Sequence, residues 1–575
     1  MANVTIAVKG IQQLWDRLTS SKKYPVLHVG LCAVLFATLA LVYLFVQFRG
    51  FSSATAMDQA QIARQIAEGK GFSTKYIRPF AIWQLEQAGK EVPAENFPEI
   101  FQSPLNPFLN ALPLGMVRNH WKLTPIDLVY IGDRMIAAMA ILFFLVAMVF
   151  WYLVGRSLFN ESIALIGCVA ILVTDLLWQF SLSGLPQMLM LMLFSAAVWL
   201  TLQAMKKNGE RLPMAARLFG AGVLFGLMAL AHGAAIGIFF GWFFFVFFYF
   251  QPRGIACLSA LAAVVLLVSP WLLRNHSVSG NMLGIAGYEM LAPVGSGESG
   301  YLRSFSGAPA LSGMQLFHRL RFATITHAEN GFAFLGMNIA AAAFFLSFLH
   351  RFSVQTTSRF RWGILLMWAG AWLGMALCGV EGVVSANQLH VLFIPLFVFY
   401  GVAFLLELWA RLELRSPYLR ASFPALICIL CGMPMLSTLL APPQPPVQWP
   451  PYVPPFIAIL GEWYGEKEVI ASDMPWAVAW YAQRNSVLLP KTIKDFNKIS
   501  DYRVLGQSIN GLYLTPITGN RRLFSDIYKG DFTEWVFMIT RPPNVQDFPL
   551  PVFTPLPIDG ECILFADRDR WSRRE

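Results

Sequence analysis

The chain has 575 residues, 56% hydrophobic and only 13% charged, with a formal net charge of +10. Soluble domains are about half apolar and about a quarter charged, so this balance excludes an ordinary soluble protein. The basic residues lie between apolar runs, with no lysine-rich tail and no nucleic-acid motif, so the charge reads as membrane topology and no nucleic-acid partner is expected.

In chain order, residues 1–24 are polar and basic and lead into an apolar run at 26–48. That run is too long for a signal-peptide core and no small-residue cleavage site follows, so it is read as a retained first helix. A long loop spans 49–124, containing the amphipathic stretch 57–69, which includes Asp58, and the Pro-rich segment SPLNPFLNALPLG at 103–115. Apolar runs follow at 125–153, 162–180, 186–205, 218–231, 234–250, 255–273, 331–349, 362–379, 389–409 and 421–440, with a second long loop at 274–330. Most match the roughly 17–25 residues that a helix needs to cross lipid. With the N-terminus inside, the inner loops hold Arg156, Lys206, Lys207, Arg211, Arg217, Arg253, Arg351, Arg359, Arg361, Arg411, Arg415 and Arg420. The short outer loops at 181–185, 232–233 and 380–388 hold no Lys or Arg. This positive-inside pattern places the N-terminus in the cytoplasm and, with an odd number of helices, the C-terminus outside.

The proline-rich stretch at 442–455 reads as a semi-rigid linker between a membrane domain at 1–441 and an α/β domain at 456–575. In the latter, 469–472, 486–490, 511–515, 535–540 and 562–567 read as strands, and 476–484 and 492–500 as helices. Of seven cysteines only Cys562 lies in that domain, which excludes an internal disulfide there; Cys428 and Cys431 form a CxxC inside an apolar run and read as core residues. The expected fold class is a polytopic all-α membrane protein of about eleven transmembrane helices with a C-terminal extracytoplasmic α/β domain.

The chemistry-bearing residues are those that break the apolar pattern. Asp58, Arg134, Asp175, His232, Arg274, Glu381 and His390 all fall at the outer membrane edge, where ionisable groups are costly unless they face a cavity or one another. All but Glu381 have a structural alternative: Arg134 and Arg274 as snorkelling anchors, His232 and His390 as satisfied interfacial rings, Asp58 as a helix cap, Asp175 as an interhelical hydrogen-bonder. The functional alternative is an outward cavity in which cations hold phosphate and a carboxylate takes a proton from a hydroxyl.

Several segments, in order, resemble the polytopic glycosyltransferases of the C superfamily (GT-C), closest to the protein-mannosyltransferase and aminoarabinose-transferase-like branch of bacterial membranes. They are MDQAQIARQIAEGKGFS at 57–73, SPLNPFLNALPLG, the helix 133–159, GVLFGLMALAHGAAIGIF at 222–239, SPWLLRNHSVSGN at 269–281, QLHVLFIPLFVFYGVAF at 388–404 and VIASDMPWAVAWYAQRNSVLLP at 469–490. The resemblance implies sugar transfer, with inversion, from a polyprenyl-phosphate-linked donor to an envelope lipid, glycan or protein, on the outer face of a bacterial inner membrane. It makes Asp58 the catalytic base and assigns donor phosphate to Arg134, Arg274, His232 and His390, with Asp175 and Glu381 as further acids. Some relatives use a divalent metal, but no ligand cluster here demands one, and no other cofactor is implied. The sequence departs from the family where an Arg-Pro pair gives way to His232-Gly233 and an Arg-Tyr pair to Leu389-His390. Those departures keep a non-enzymatic scaffold open as an alternative; a lipid or solute transporter is the other, and it would show internal repeats and broken midplane helices.

Overall fold

The computed structural model describes residues 25–91, 93–123, 129–291, 300–305, 307, 313–380, 382–412, 416–441, 454–519, 533–540, 548–555 and 563–571. The linker, Cys562, Glu381 and Arg415 lie wholly or mostly outside these.

Helices run as α1 (Pro25–Leu41), α2 (Ala54–Ala67), α3 (Pro79–Gln87), α4 (Leu105–Met116), α5 (Ile131–Leu158), α6 (Glu161–Leu172), α7 (Asp175–Leu182), α8 (Gln187–Met205), α9 (Arg211–Ala231), α10 (Ile236–Tyr249) and α11 (Arg253–Ser279). They continue as α12 (Gly313–Glu329), α13 (Ile339–Leu346), α14 (Gln355–Cys378), α15 (Ile394–Ala410), α16 (Pro417–Cys431) and α17 (Met433–Leu440). Among the described residues seven helices are long and apolar enough to cross a membrane, or nine if the bent pairs α6–α7 and α16–α17 each form one span. The bends are 56° and 55°, and two further apolar helices are shorter. The chain is thus a multi-pass membrane protein. The apolar run at 331–349 is interrupted before α13, where Gly336 and Met337 take positive φ and the Asn338 side chain caps the new helix by accepting from Ala341 N at 3.0 Å.

Close helix packing is permitted by glycine. Gly237 and Gly241 on α10, and Gly370 and Gly374 on α14, repeat at small-xxx-small spacing. A Cβ on Gly370 would stand 2.1 Å from Gly237 O, and one on Gly237 2.3 Å from Gly370 O. The two backbones therefore touch with no space for a side chain.

The outer part is built on one six-stranded sheet in the order β1-β3-β2-β4-β6-β5. The strands are β1 (Tyr76–Ile77), β2 (Val469–Ser472), β3 (Asn485–Leu488), β4 (Ile509–Leu514), β5 (Val552–Pro555) and β6 (Ile563–Ala566). β1, β3, β2 and β4 are parallel, while β6 is antiparallel to β4 and β5. The edge strand β1 comes from the first long loop, with Tyr76 opposite Ser486 and Ile77 opposite Val487. The segment at 535–540, expected as a strand, is helical within Thr533–Thr540. Trp535 and Met538, three residues apart, are both buried, and the Trp535 indole donates to Pro490 O at 2.8 Å. A compact apolar run cannot by periodicity alone be told from a strand.

Gly370→Leu should drive α10 and α14 apart, with overpacking costing about 1–3 kcal/mol. A clear drop in thermal stability of the detergent-solubilised protein is expected; an unchanged melting temperature would reject this helix contact.

Candidate functional site

Helix α2 is built from good helix formers and is buried from Ala56 to Gln65 on every face. Asp58 lies inside it, not at its cap. Gly69 and Gly71, both with positive φ, turn the chain back after α2 so that β1 and Arg78 return to it. Pro79 opens α3 and holds Arg78 in an extended conformation, with φ −97° and ψ 130°. The Arg78 guanidinium then meets Asp58 through Nη2 and Glu99 through Nη1, the latter at 3.3 Å. All three residues are at most 2% exposed, which makes this a buried ion triad rather than a surface pair.

The carboxylates are fully supported. Asp58 accepts from Gln102 Nε2 at 2.7 Å and from Gln61 Nε2 at 3.1 Å. Gln102 is oriented by Gln59 Nε2 at 3.0 Å, and Gln59 accepts from Asn106 Nδ2 at 2.6 Å. Glu99 Oε1 accepts from the backbone N–H groups of Phe101 at 2.5 Å and Gln102 at 2.9 Å. Burial raises the Asp58 pKa to about 6; Arg78 opposes this shift and Glu99 adds to it.

Asp58, Gln59, Arg78 and Gln102 line one side of a cavity of about 470 Å³. His232, Glu289 and Asn387 also line it, with Tyr76, Trp271 and Trp476 as aromatic wall. It opens among the ends of α9, α11 and α14 that the basic-residue pattern assigns to the outer side. The size suits a small-molecule or sugar-sized ligand.

The other expected residues are placed as follows. His232, in the turn after α9, is on the cavity wall, and its Nδ1 accepts from Ala234 N at 3.3 Å. Arg274 stands beside the cavity residues Trp271 and Asn275. Its fork donates to Glu99 O at 2.5 Å, Asn275 Oδ1 at 3.0 Å and Phe72 O at 3.4 Å, and it packs on the rings of Trp271 and Phe72. It therefore braces the turn that carries Glu99. Arg134 lies 5.6 Å from the Phe45 ring centroid, away from the cavity lining. Asp175 accepts from Tyr43 OH, from Gln179 Nε2 at 2.7 Å and from Thr438 Oγ1 at 2.8 Å, and so ties α7 to α17. His390 accepts from the Trp368 indole at Nδ1 (2.9 Å), which leaves Nε2 to donate to His327 Nδ1 at 2.8 Å. A ring that accepts at one nitrogen carries no charge. Asp58 and His232 thus line one cavity, Arg274 stands behind its lining, and Arg134, Asp175 and His390 are engaged elsewhere.

Sequence reasoning passed over Arg78, Glu99, Gln61 and Gln102. The Arg-Pro dipeptide at 78–79 was the available signal. It also passed over Asp133, the buried acid that accepts from Trp480 Nε1 at 2.6 Å and Tyr481 OH at 2.9 Å. Arg64 completes this seam, donating to the carbonyls of Ala479 at 2.9 Å and Trp480 at 2.6 Å. Among the described residues no cluster of three or more His, Cys, Asp or Glu side chains forms a metal-binding group.

No protein-family model matches the chain. No curated protein matches it by sequence. Solved structures do match by fold. The Archaeoglobus fulgidus oligosaccharyltransferase in complex with Zn and sulfate aligns at TM-score 0.54 and 13% identity, over 88% of this chain and 70% of that one. Oligosaccharyltransferase AglB from the same organism, with an inhibitory peptide and a dolichol-phosphate, aligns at TM-score 0.52 and 14% identity, over 86% and 70%. ArnT from Cupriavidus metallidurans, bound to undecaprenyl phosphate, aligns at TM-score 0.52 and 10% identity, over 93% and 98%. The chain has the GT-C fold.

Trp480→Phe keeps the ring but removes one donor from the buried Asp133 carboxylate. The loss is expected to cost about 1–3 kcal/mol, read as a lower melting temperature. If stability does not change, the Asp133 seam does not hold the outer domain to α5.

Proposed function

We propose that the protein is a glycosyltransferase that moves a sugar from a polyprenyl-phosphate donor to a lipid, glycan or protein acceptor on the outer face of a bacterial inner membrane. The observation that carries this reading is Asp58: a buried carboxylate from the first outer loop, lining a closed-in cavity at the outer ends of the spans. The GT-C fold supports it, as do the dolichol-phosphate and undecaprenyl phosphate bound by two proteins of like fold.

In the proposed step Asp58 takes the proton of the acceptor hydroxyl. The freed oxygen attacks the anomeric carbon as the bond from that carbon to the phosphate oxygen breaks. Polyprenyl phosphate leaves and configuration inverts. Asp58 Oδ2 is held by Arg78 and Gln102, and Oδ1 accepts only from Gln61, which leaves it a lone pair for the proton. Donor phosphate is assigned to the part of the cavity lined by His232 and Asn275, with Arg274 bonded to Asn275 Oδ1 beside it.

The test is transfer by the full-length protein in nanodiscs with polyprenyl-phosphate sugars. Asp58→Asn should slow transfer by about 10²-fold or more. The wild-type kcat/KM should rise with pH through a limb near 6, because the base works only when ionised and its pKa is raised to about 6; Asp58→Asn should lack that limb. A normally folded Asp58→Asn protein with wild-type rate would remove Asp58 from the chemistry. Neither donor binding nor transfer by wild type would favour the scaffold.

The 1–441, 442–455 and 456–575 division is kept with the 456–575 domain outside the cytoplasm. A reporter that works only outside the cytoplasm, fused at the C-terminus, should be active; activity of a cytoplasm-only reporter there would reverse the orientation.

A further inference from the structure

Two buried carboxylates near one another cannot both stay ionised unless a cation lies between them. At this site that place is filled by a side chain. Arg78 bridges Asp58 and Glu99 with its two terminal nitrogens, and the rings of Tyr76 and Phe101 lie 4.0 and 4.4 Å from its guanidinium carbon. The carboxylate oxygens that a metal would claim already have donors. Asp58 Oδ2 accepts from Arg78 and Gln102, Glu99 Oε2 accepts from Arg78, and Glu99 Oε1 accepts from two backbone N–H groups. A divalent ion takes several oxygen ligands and usually keeps some of its waters. This packed, hydrogen-bonded arrangement does not fit one.

We infer that Arg78 is the resident cation of the site, held between Asp58 and Glu99 where a divalent metal would otherwise neutralise them, so that transfer runs without a metal. The statement about transfer rests on the glycosyltransferase reading; the statement about the ion site does not. Arg78 is a positioning residue. It fixes Asp58 through Oδ2 and leaves Oδ1 free to receive a proton. Pro79 and the parallel pairing of β1 with β3 set the backbone that aims it.

The experiment uses full-length protein in nanodiscs, stripped with EDTA and titrated with Mn²⁺ followed by electron paramagnetic resonance. Wild type is expected to show no Mn²⁺ site that depends on Asp58, and EDTA is expected to leave its transfer rate unchanged. Arg78→Ala should gain one Mn²⁺ site, lost again when Asp58→Asn is added, whereas Arg78→Lys, which keeps a cation, should gain none. One Mn²⁺ bound per wild-type chain and abolished by Asp58→Asn would overturn the inference, as would transfer lost in EDTA and restored by Mn²⁺. A folded Arg78→Ala protein with no Mn²⁺ site would overturn the claim that Arg78 stands in a metal's place. If Arg78→Ala does not fold, the wild-type and Asp58→Asn titrations decide alone. Should wild type transfer no sugar, the functional reading falls while the Mn²⁺ titration still decides the place of Arg78.

Discussion

Charge buried beside a membrane must be neutralised and fully hydrogen-bonded, or it costs several kcal/mol per ion. The Asp58–Arg78–Glu99 triad meets most of that demand, with Arg78 Nε alone left without a partner, and much of the first long loop is organised around it. Helix α2 supplies Asp58, Gln59 and Gln61, the chain reversal at Gly69 and Gly71 returns Arg78, and the turn at 99–102 supplies Glu99 and Gln102. Arg274, at the end of a membrane-spanning helix, grips the carbonyl of Glu99. The triad is thereby fixed to the membrane domain as well as within its own loop. Removal of Arg78 would leave two carboxylates buried without a cation, so site and loop fold are one problem.

The outer sheet belongs to the same construction. β1 leads directly into Arg78 and is paired to β3, so the position of the guanidinium depends on a strand 400 residues further along the chain, Tyr76 standing opposite Ser486. Trp476 of the outer domain lines the cavity, and Arg303 from the second long loop donates to the carbonyls of Leu489 at 2.7 Å and Pro490 at 3.0 Å. Both long loops are therefore held against the α/β domain. The C-terminal α/β region thus contributes a wall of the cavity through Trp476.

What the sequence made legible follows from the physics of lipid. A span must be apolar over about 20 residues and its inner flank is basic, so the described parts of the apolar runs fall mostly on helix, several of them broken, and residues expected near one edge could be picked out by position along each run. Depth along the membrane normal says nothing about rotation around a helix axis. Asp175 and His390 were expected at the depth of His232, yet Asp175 turns to Tyr43 and Thr438, and His390 turns to His327 and Trp368. Arg78 and Glu99 were hidden for a different reason. They sit in an aperiodic loop and meet Asp58 only through two glycine turns and a strand pairing, none of which leaves a local pattern. The strand expected at 535–540 failed because Trp535 and Met538 face the core at a helical step that a six-residue window cannot show.

The departures from the GT-C pattern acquire a physical meaning in this cavity. His232-Gly233 stands where the resemblance leads one to expect Arg-Pro, a change that would seem to empty the site of a fixed cation. The chain carries an Arg-Pro pair at 78–79 instead, and both His232 and Arg78 line the same cavity. A guanidinium held by two carboxylates and two rings is a cation of fixed direction, and its charge is spent on Asp58 and Glu99. Proline next to it serves the same end in either place, because it restricts the backbone that aims the side chain. The arginine and proline at 78–79 therefore order the carboxylate side of this cavity, while His232 lines it without an arginine's charge.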